Sequence, residues 1–248
     1  VHIPAGSFEM GAADTEEGFE PDEEPVHSVT LTRSFAATKI EISQAEWTRV
    51  MDNQPSFFTN CGGACPVEHV SLWEAMAYCN VRSKAEDLEA CYELGACQGS
   101  PGDGFECQSV QFTGLDCQGY RIPTEAEWEY MARAGSADPR YDTLGAIAWC
   151  DGKGGQVTHP EAQLAPNDFG LYDIYGNVRE WVFDFHFATF YSTSPSEDPT
   201  GPESGFLRLS RGGSWNTTDL QCRAAARSPL SPTNRLTDLG FRIVRTSP

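Results

Sequence analysis

Two sets of residues in this 248-residue sequence carry donor atoms in patterns that suit metal or redox chemistry. In the run from Gly170 to Trp181, Asp173 and Glu180 bracket a turn at Gly176 and Asn177 that can direct main-chain carbonyls inward. Two carboxylates with intervening carbonyls make the hard oxygen set that Ca²⁺ takes. The competing reading is that these acids merely cap a turn. Nine cysteines are the second set, but none are spaced C-x-x-C and their intervals do not match a zinc site. The five histidines, His2, His27, His69, His159 and His186, include no i, i+4 pair, so only a triad assembled across the fold would use them. No G-x-S-x-G elbow marks a serine nucleophile.

Seven of the nine cysteines fall between residues 61 and 117, a density that suits disulfides made in an oxidising compartment. Cys91, Cys97, Cys107 and Cys117 lie in a glycine-rich insertion at about 88–118, and their three possible pairings stay open. Cys61 and Cys65 can close a small ring of their own. Cys79 follows Ala75, Met76 and Tyr78 on a helical stretch and reads as a buried free thiol.

Three S/T-x-x-E capping boxes must start helices, at Ser43 to Glu46, Ser71 to Glu74 and Thr124 to Glu127. Apolar residues at helical spacing follow the first and third, Gly135 offers a stop for the third, and the second predicts a helix from about Leu72 to Arg82. Elsewhere short strand-like runs, such as Val29–Thr32 and Phe241–Val244, alternate with Gly, Pro, Asn and Asp. The fold class is α+β with much irregular structure, in a single domain over 1–248. With 36 acidic against 17 basic residues the charge is −19, which repels phosphate backbones and anionic headgroups. Nucleic acid is therefore excluded as a partner, and membrane insertion too, since no run of about 18 apolar residues exists. The first residues have neither a basic n-region nor an apolar h-region. The acidic stretch Asp14–Glu24 reads as a solvated loop.

Taken together, IPAGSFEMG (3–11), EPVHSVTL (24–31), EISQAEW (41–47), PVEHVSLWEAMAYCN (66–80), GYRIPTEAEWEYMARAG (119–135), GLYDIYGNVREW (170–181), RGGSW (211–215) and LGFR (239–242) resemble the formylglycine-generating enzyme, or sulfatase-modifying factor, family. The resemblance runs in that family's order over nearly the whole chain. It implies a C-type-lectin-like fold of small twisted sheets, few helices and long ordered loops. It also implies calcium held by the side chains of Asp173 and Glu180 and the carbonyls of Gly176 and Val178. A second calcium site of the family would fall at 148–163, where the acidic pattern is missing, and it is not expected here. Active members hold copper with two cysteines after the Gly-Gly-Ser block, and soft thiolates suit Cu(I). Here that stretch reads RGGSWNTTDLQCRAAARS, with Asn216, Thr217, Thr218 and Asp219 where the thiolates belong. Its one cysteine, Cys222, reads as structural, with Cys150 as a candidate partner. Relatives that use non-haem iron take histidines from an added helical domain, for which this chain has no room.

The GYRIP block, with Trp128 on the helix that follows, is expected to pack a core corner. The paired glycines of RGGSW suit either a floor beneath a cleft or a plain strand crossing. The expectation is a secreted or periplasmic, calcium-stabilised module that binds a protein, peptide or glycan through Trp215, Asn216, Thr217, Thr218, Asp219 and Arg223 without turning substrate over. One alternative is a copper-dependent oxidoreductase of the formylglycine-generating type, with Cys222 and Cys150 as its only late ligand candidates. Another is a structural surface protein capable of self-association.

Overall fold

The computed structural model describes residues 1–59 and 61–247. Hydroxyl caps start all three predicted helices. Ser43 accepts from the Glu46 amide at the head of α1 (Gln44–Met51), while α2 (Leu72–Ala85) and α3 (Glu125–Arg133) carry complete, reciprocal capping boxes. Helix α2 runs three residues past its predicted end. Ala134 in the left-handed region and then Gly135 close α3, as the sequence leads one to expect. A single turn, α4 (Leu144–Ile147), follows.

Among the described residues, fifteen short strands surround these helices. The chain opens with β1 (His2–Ile3), β2 (Gly6–Met10), β3 (His27–Leu31) and β4 (Phe35–Ala37), and the insertion holds β5 (Tyr92–Gly95), β6 (Gln98–Ser100), β7 (Asp103–Glu106) and β8 (Ser109–Phe112). Then come β9 (Ala148–Trp149), β10 (Tyr175–Gly176), β11 (Arg179–Phe185), β12 (Arg208–Arg211), β13 (Arg227–Leu230), β14 (Leu239–Gly240) and β15 (Val244–Thr246). The main sheet has the order β13-β12-β11-β14, and β1-β4-β15 ties the start of the chain to its end. Side chains of a strand alternate between faces, so β11 serves two cores: Trp181 packs with α1, α2 and the insertion, Val182 with α3 and β2–β4.

The run Phe241–Val244 is not one strand. Its carbonyls at Phe241 and Ile243 accept from the amides of Ile42 and Thr38, so the segment bonds to the stretch before α1 and resumes a ladder only at β15. The acidic stretch Asp14–Glu24 is likewise not simply solvated: Glu23 is buried and clasps Arg223. The GYRIP corner does pack as expected, with Arg121 buried and holding Glu127 through two bonds of 2.6 Å.

Disulfides join Cys91 to Cys117, Cys97 to Cys107, Cys61 to Cys65 and Cys150 to Cys222. The first two nest, stapling an insertion whose small hairpins expose most of their residues. Cys79 alone is free, and it is buried.

Candidate functional site

The turn between β10 and β11 is fixed from below by an acid that sequence reasoning did not single out. Glu41 accepts from the Val178 amide at 3.2 Å and from Asn177 Nδ2 at 2.9 Å, and it is 1% exposed. Asp173, in the left-handed region at φ 52°, accepts from the Ala162 amide through Oδ2, while its Oδ1 is buried with no hydrogen-bond partner among the described residues. Glu161 likewise has a buried Oε1 without a partner there. Burial, and then the charge of Asp173, pushes the Glu161 carboxyl up to about 8. Burial raises Asp173 as well, and raises Glu41 far above the ordinary carboxylate range with help from Asp173 and Glu180.

Glu180 does not share this arrangement. Both its oxygens take Arg242, from Nε and Nη2 at 2.6 Å each, and Oε2 also accepts from Trp128 Nε1 at 2.8 Å. Of the four calcium ligands expected from the sequence, Glu180 is thus committed to a buried guanidinium, whereas Asp173 has an uncommitted oxygen. The Gly176 and Val178 carbonyls flank the Asn177 turn. Among the described residues no three Asp, Glu, His or Cys side chains form a metal-holding group on their own. Any hard cation here would have to complete its shell with main-chain oxygens. The donor chemistry of Asp173, Glu41 and these carbonyls fits such an ion, and that of Glu180 fits only if Arg242 gives way.

The sulfur of Cys222 is bonded to Cys150, beneath Gly213, where a Cβ on that glycine would stand 2.5 Å from the sulfur. Cys79 lies in the other core cluster, and burial holds its thiol far above the ordinary range.

The loop after β12 was expected to present Trp215, Asn216, Thr217, Thr218 and Asp219. Gly212 and Gly213 take positive φ, and the backbone there passes close to the Ile174 carbonyl and the disulfide. Trp215 is only 7% exposed, with its indole N–H on the Thr237 carbonyl and its ring edge-to-face with Phe58 at 5.6 Å. Phe57, 67% exposed, sits edge-on to Phe58, and Glu68 beneath them accepts from both their amides at 3.1 and 2.9 Å. Thr217 is spent on Ser214, and Asp219 pairs with Lys153 at 2.7 Å. The surface left open is an aromatic ledge of Phe57 and Phe58 on Trp215, bordered by exposed Asn216 and Thr218. Phe57 and Phe58 escaped sequence reasoning because a Phe pair in an aperiodic loop has no pattern to flag it.

Arg223 must be removed from the expected binding surface. It is 1% exposed, bonded to both oxygens of Glu23 at 2.6 Å, to Glu16, and to the carbonyls of Gly18 and Leu220. Its charge braces the acidic loop and has nothing left for a ligand.

Comparison with known proteins accounts for this architecture. The family described as sulfatase-modifying factor enzyme 1-like domain matches residues 1–247. The formylglycine-generating enzyme of Streptomyces coelicolor is 31% identical over 289 aligned positions, covering 98% of this chain and 87% of that protein. A chaperone protein named LppX from Paenibacillus barcinonensis is 30% identical, over 88% of this chain and 82% of its own. Among solved structures, Treponema denticola variable protein 1 superposes with a TM-score of 0.85 at 31% identity, over 99% of this chain and 94% of that one. The match over nearly the whole chain, at this identity and coverage, shows the family: the chain belongs to the formylglycine-generating enzyme, or sulfatase-modifying factor, family.

Proposed function

We propose that this chain is a binding module of its family that recognises a protein, peptide or glycan and does not oxidise cysteine. The observation that carries the reading is the Cys150–Cys222 disulfide, which occupies the only two cysteines late in the chain. Copper-dependent oxidation in this family calls for a thiolate pair after the Gly-Gly-Ser block, and the one free thiol here is buried in another core. The ledge of Phe57, Phe58 and Trp215 with Asn216 and Thr218 supports recognition at that end, since loops held on a rigid scaffold are suited to it. That relatives include both a chaperone and a variable protein accords with roles other than catalysis within the fold. Four disulfides favour an extracytoplasmic setting, and no helix among the described residues is long and apolar enough to cross a membrane.

The test is oxygen consumption with Cu(I) and a cysteine-containing sulfatase peptide. Background rates are expected for the native chain. Copper-dependent turnover that disappears in Cys222→Ser would overturn the reading and restore the oxidoreductase.

The same module is proposed to be stabilised by Ca²⁺ at Asp173, with Glu41 and the carbonyls of Gly176 and Val178 as further donors. The support is electrostatic: Arg242 is already neutralised by Glu180, which leaves Asp173, Glu41 and Glu161 crowded without a cation. A hard divalent ion is what such a set of oxygens takes up.

A further inference from the structure

A second surface begins where the ledge ends. Past Thr218, the turn Asp219–Gln221 faces the acidic loop, and between them runs a hollow of about 240 Å³ lined by Gly18, Glu20, Thr218, Leu220 and Gln221 among others. It continues into a larger one of about 530 Å³ bounded by Pro21, His186, Ala188, Thr189 and Pro229, the two sharing Glu20, Gln221 and Arg227. The result is one open trough beneath residues 18–22. At its far end the backbone bond from His186 to Leu207 sets the segments after β11 and before β12 side by side. Those segments carry Phe187, 60% exposed, and Phe206, 97% exposed, with Leu207 at 39%, while Leu220 at the near end is 41% exposed. Phe187 stands between two residues that line the larger hollow, Phe206 precedes the residue bonded to His186, and Leu220 lines the smaller one, so exposed bulky apolar groups adjoin the trough, a feature of interaction surfaces.

The charges select the occupant. The two arginines that line the trough are consumed, Arg223 by Glu23 and Glu16, and Arg227 by Glu125 at 2.8 Å. His186 bonds Asp22 at 2.8 Å. Glu20, which lines both hollows, and its loop neighbours Glu17 and Glu24 are exposed and make no ion pair among the described residues, so this loop beside the trough presents net negative charge. We infer that the trough docks an extended segment of another protein in which basic side chains alternate with bulky apolar ones, the cations meeting Glu17 and Glu20 and an apolar residue meeting Phe187 and Phe206. An anionic membrane is repelled by that loop, and a second copy of a chain with net charge −19 is repelled as a whole. The inference extends the binding reading and rests on it only in requiring a partner instead of a substrate. Failure of that reading would appear as copper-dependent turnover, which the experiment below does not measure.

The probe is a fluorescein-labelled decapeptide of alternating lysine and leucine, with its glutamate and leucine counterpart as control, titrated by anisotropy. The basic peptide is expected to bind and the acidic one not to. Phe187→Ser and Phe206→Ser should each weaken binding about tenfold, the loss typical of an anchoring aromatic. Both residues are exposed enough for the variants to fold. Glu17→Gln with Glu20→Gln should also weaken binding and flatten its salt dependence. Removing the same charge from the insertion, by Glu93→Gln with Asp103→Asn, should leave the affinity within about twofold. Equal losses in the two charge pairs would reduce the effect to general attraction by an acidic protein and overturn the inference. So would unchanged binding by both Phe variants. Retention of native but not Phe206→Ser protein on phosphatidylcholine vesicles would make the tip a bilayer contact, and a dimer dissolved by Phe206→Ser would make it a self-contact. Either result also defeats the proposal.

Discussion

Asp173 and Glu180 stand seven residues apart around one turn, yet their environments make them opposites. Glu180 is neutralised by Arg242, so substituting it strips a buried guanidinium of its partner and destabilises the chain whether or not a metal binds there. It cannot report on calcium. Asp173 can, because it has no ion pair among the described residues and one oxygen without a partner. In EDTA, Asp173→Asn is expected to melt at or above the native temperature, since it removes a buried charge crowded by Glu41 and Glu161. Excess Ca²⁺ should then raise the native melting temperature by several degrees, as a ligand at 100 times its dissociation constant adds about 2.7 kcal/mol, and should leave Asp173→Asn unmoved. Native melting curves that coincide in EDTA and in Ca²⁺ would mean that Asp173 only caps its turn.

Within the elements, the N-terminus of α3 shows how far one local signal reaches. The Thr124 hydroxyl accepts from the Glu127 amide at 3.2 Å and the Glu127 carboxylate accepts in turn from the Thr124 amide at 2.9 Å, but Glu127 also holds Arg121. Thr124→Ala should therefore cost about 1 kcal/mol, the worth of a cap, whereas Glu127→Ala should cost about 3–5 kcal/mol by leaving Arg121 buried and alone. Urea unfolding separates the two, and equal losses would show that the ion pair contributes nothing beyond the cap. The cap was legible because its chemistry closes within four residues. So were the cysteine staple of the insertion and the packing of Trp128. What stayed hidden was set by partners far along the chain. Arg223 reads as an exposed cation beside a loop until Glu23, 200 residues earlier, is brought against it. Phe241–Val244 reads as a strand until the stretch before α1 takes its carbonyls. Glu41 is just one more acid in the sequence, and only the fold places it beneath Asn177.

On the scale of the whole molecule, acid exceeds base inside as well as outside. Among the described residues, eleven Asp and Glu side chains are buried against seven Arg. Glu41, Glu68, Asp173 and Asp184 are the buried acids with no ion pair among the described residues, and burial raises all four. Asp184 is the cleanest of them to follow, because it lies away from the proposed calcium site. It accepts from the Glu125 amide at 2.8 Å and is hemmed in by Gly201, with Arg208 as its nearest compensating charge. Burial, and then the charge of Glu125, pushes its carboxyl from 3.8 up to about 8. A carboxyl that is harder to ionise in the folded state than in the unfolded chain binds more protons when folded, so stability falls as pH rises. The loss begins near pH 4, where the unfolded chain ionises, and ends near pH 8, where the folded group has followed. Across that window each pH unit costs at most about 1.4 kcal/mol for this one group. Melting temperature is therefore expected to decline from about pH 5 to pH 8, against the habit of proteins whose carboxylates are well paired. Asp184→Asn keeps an oxygen for the Glu125 amide and cannot ionise, so it should flatten the decline whatever it does to stability at pH 5. Ca²⁺ should flatten a separate share by neutralising Asp173 and Glu41, and the two effects should add because the sites share no partner. A native melting temperature that rises from pH 5 to pH 8 would show that the buried acids are compensated in a way this structure does not contain.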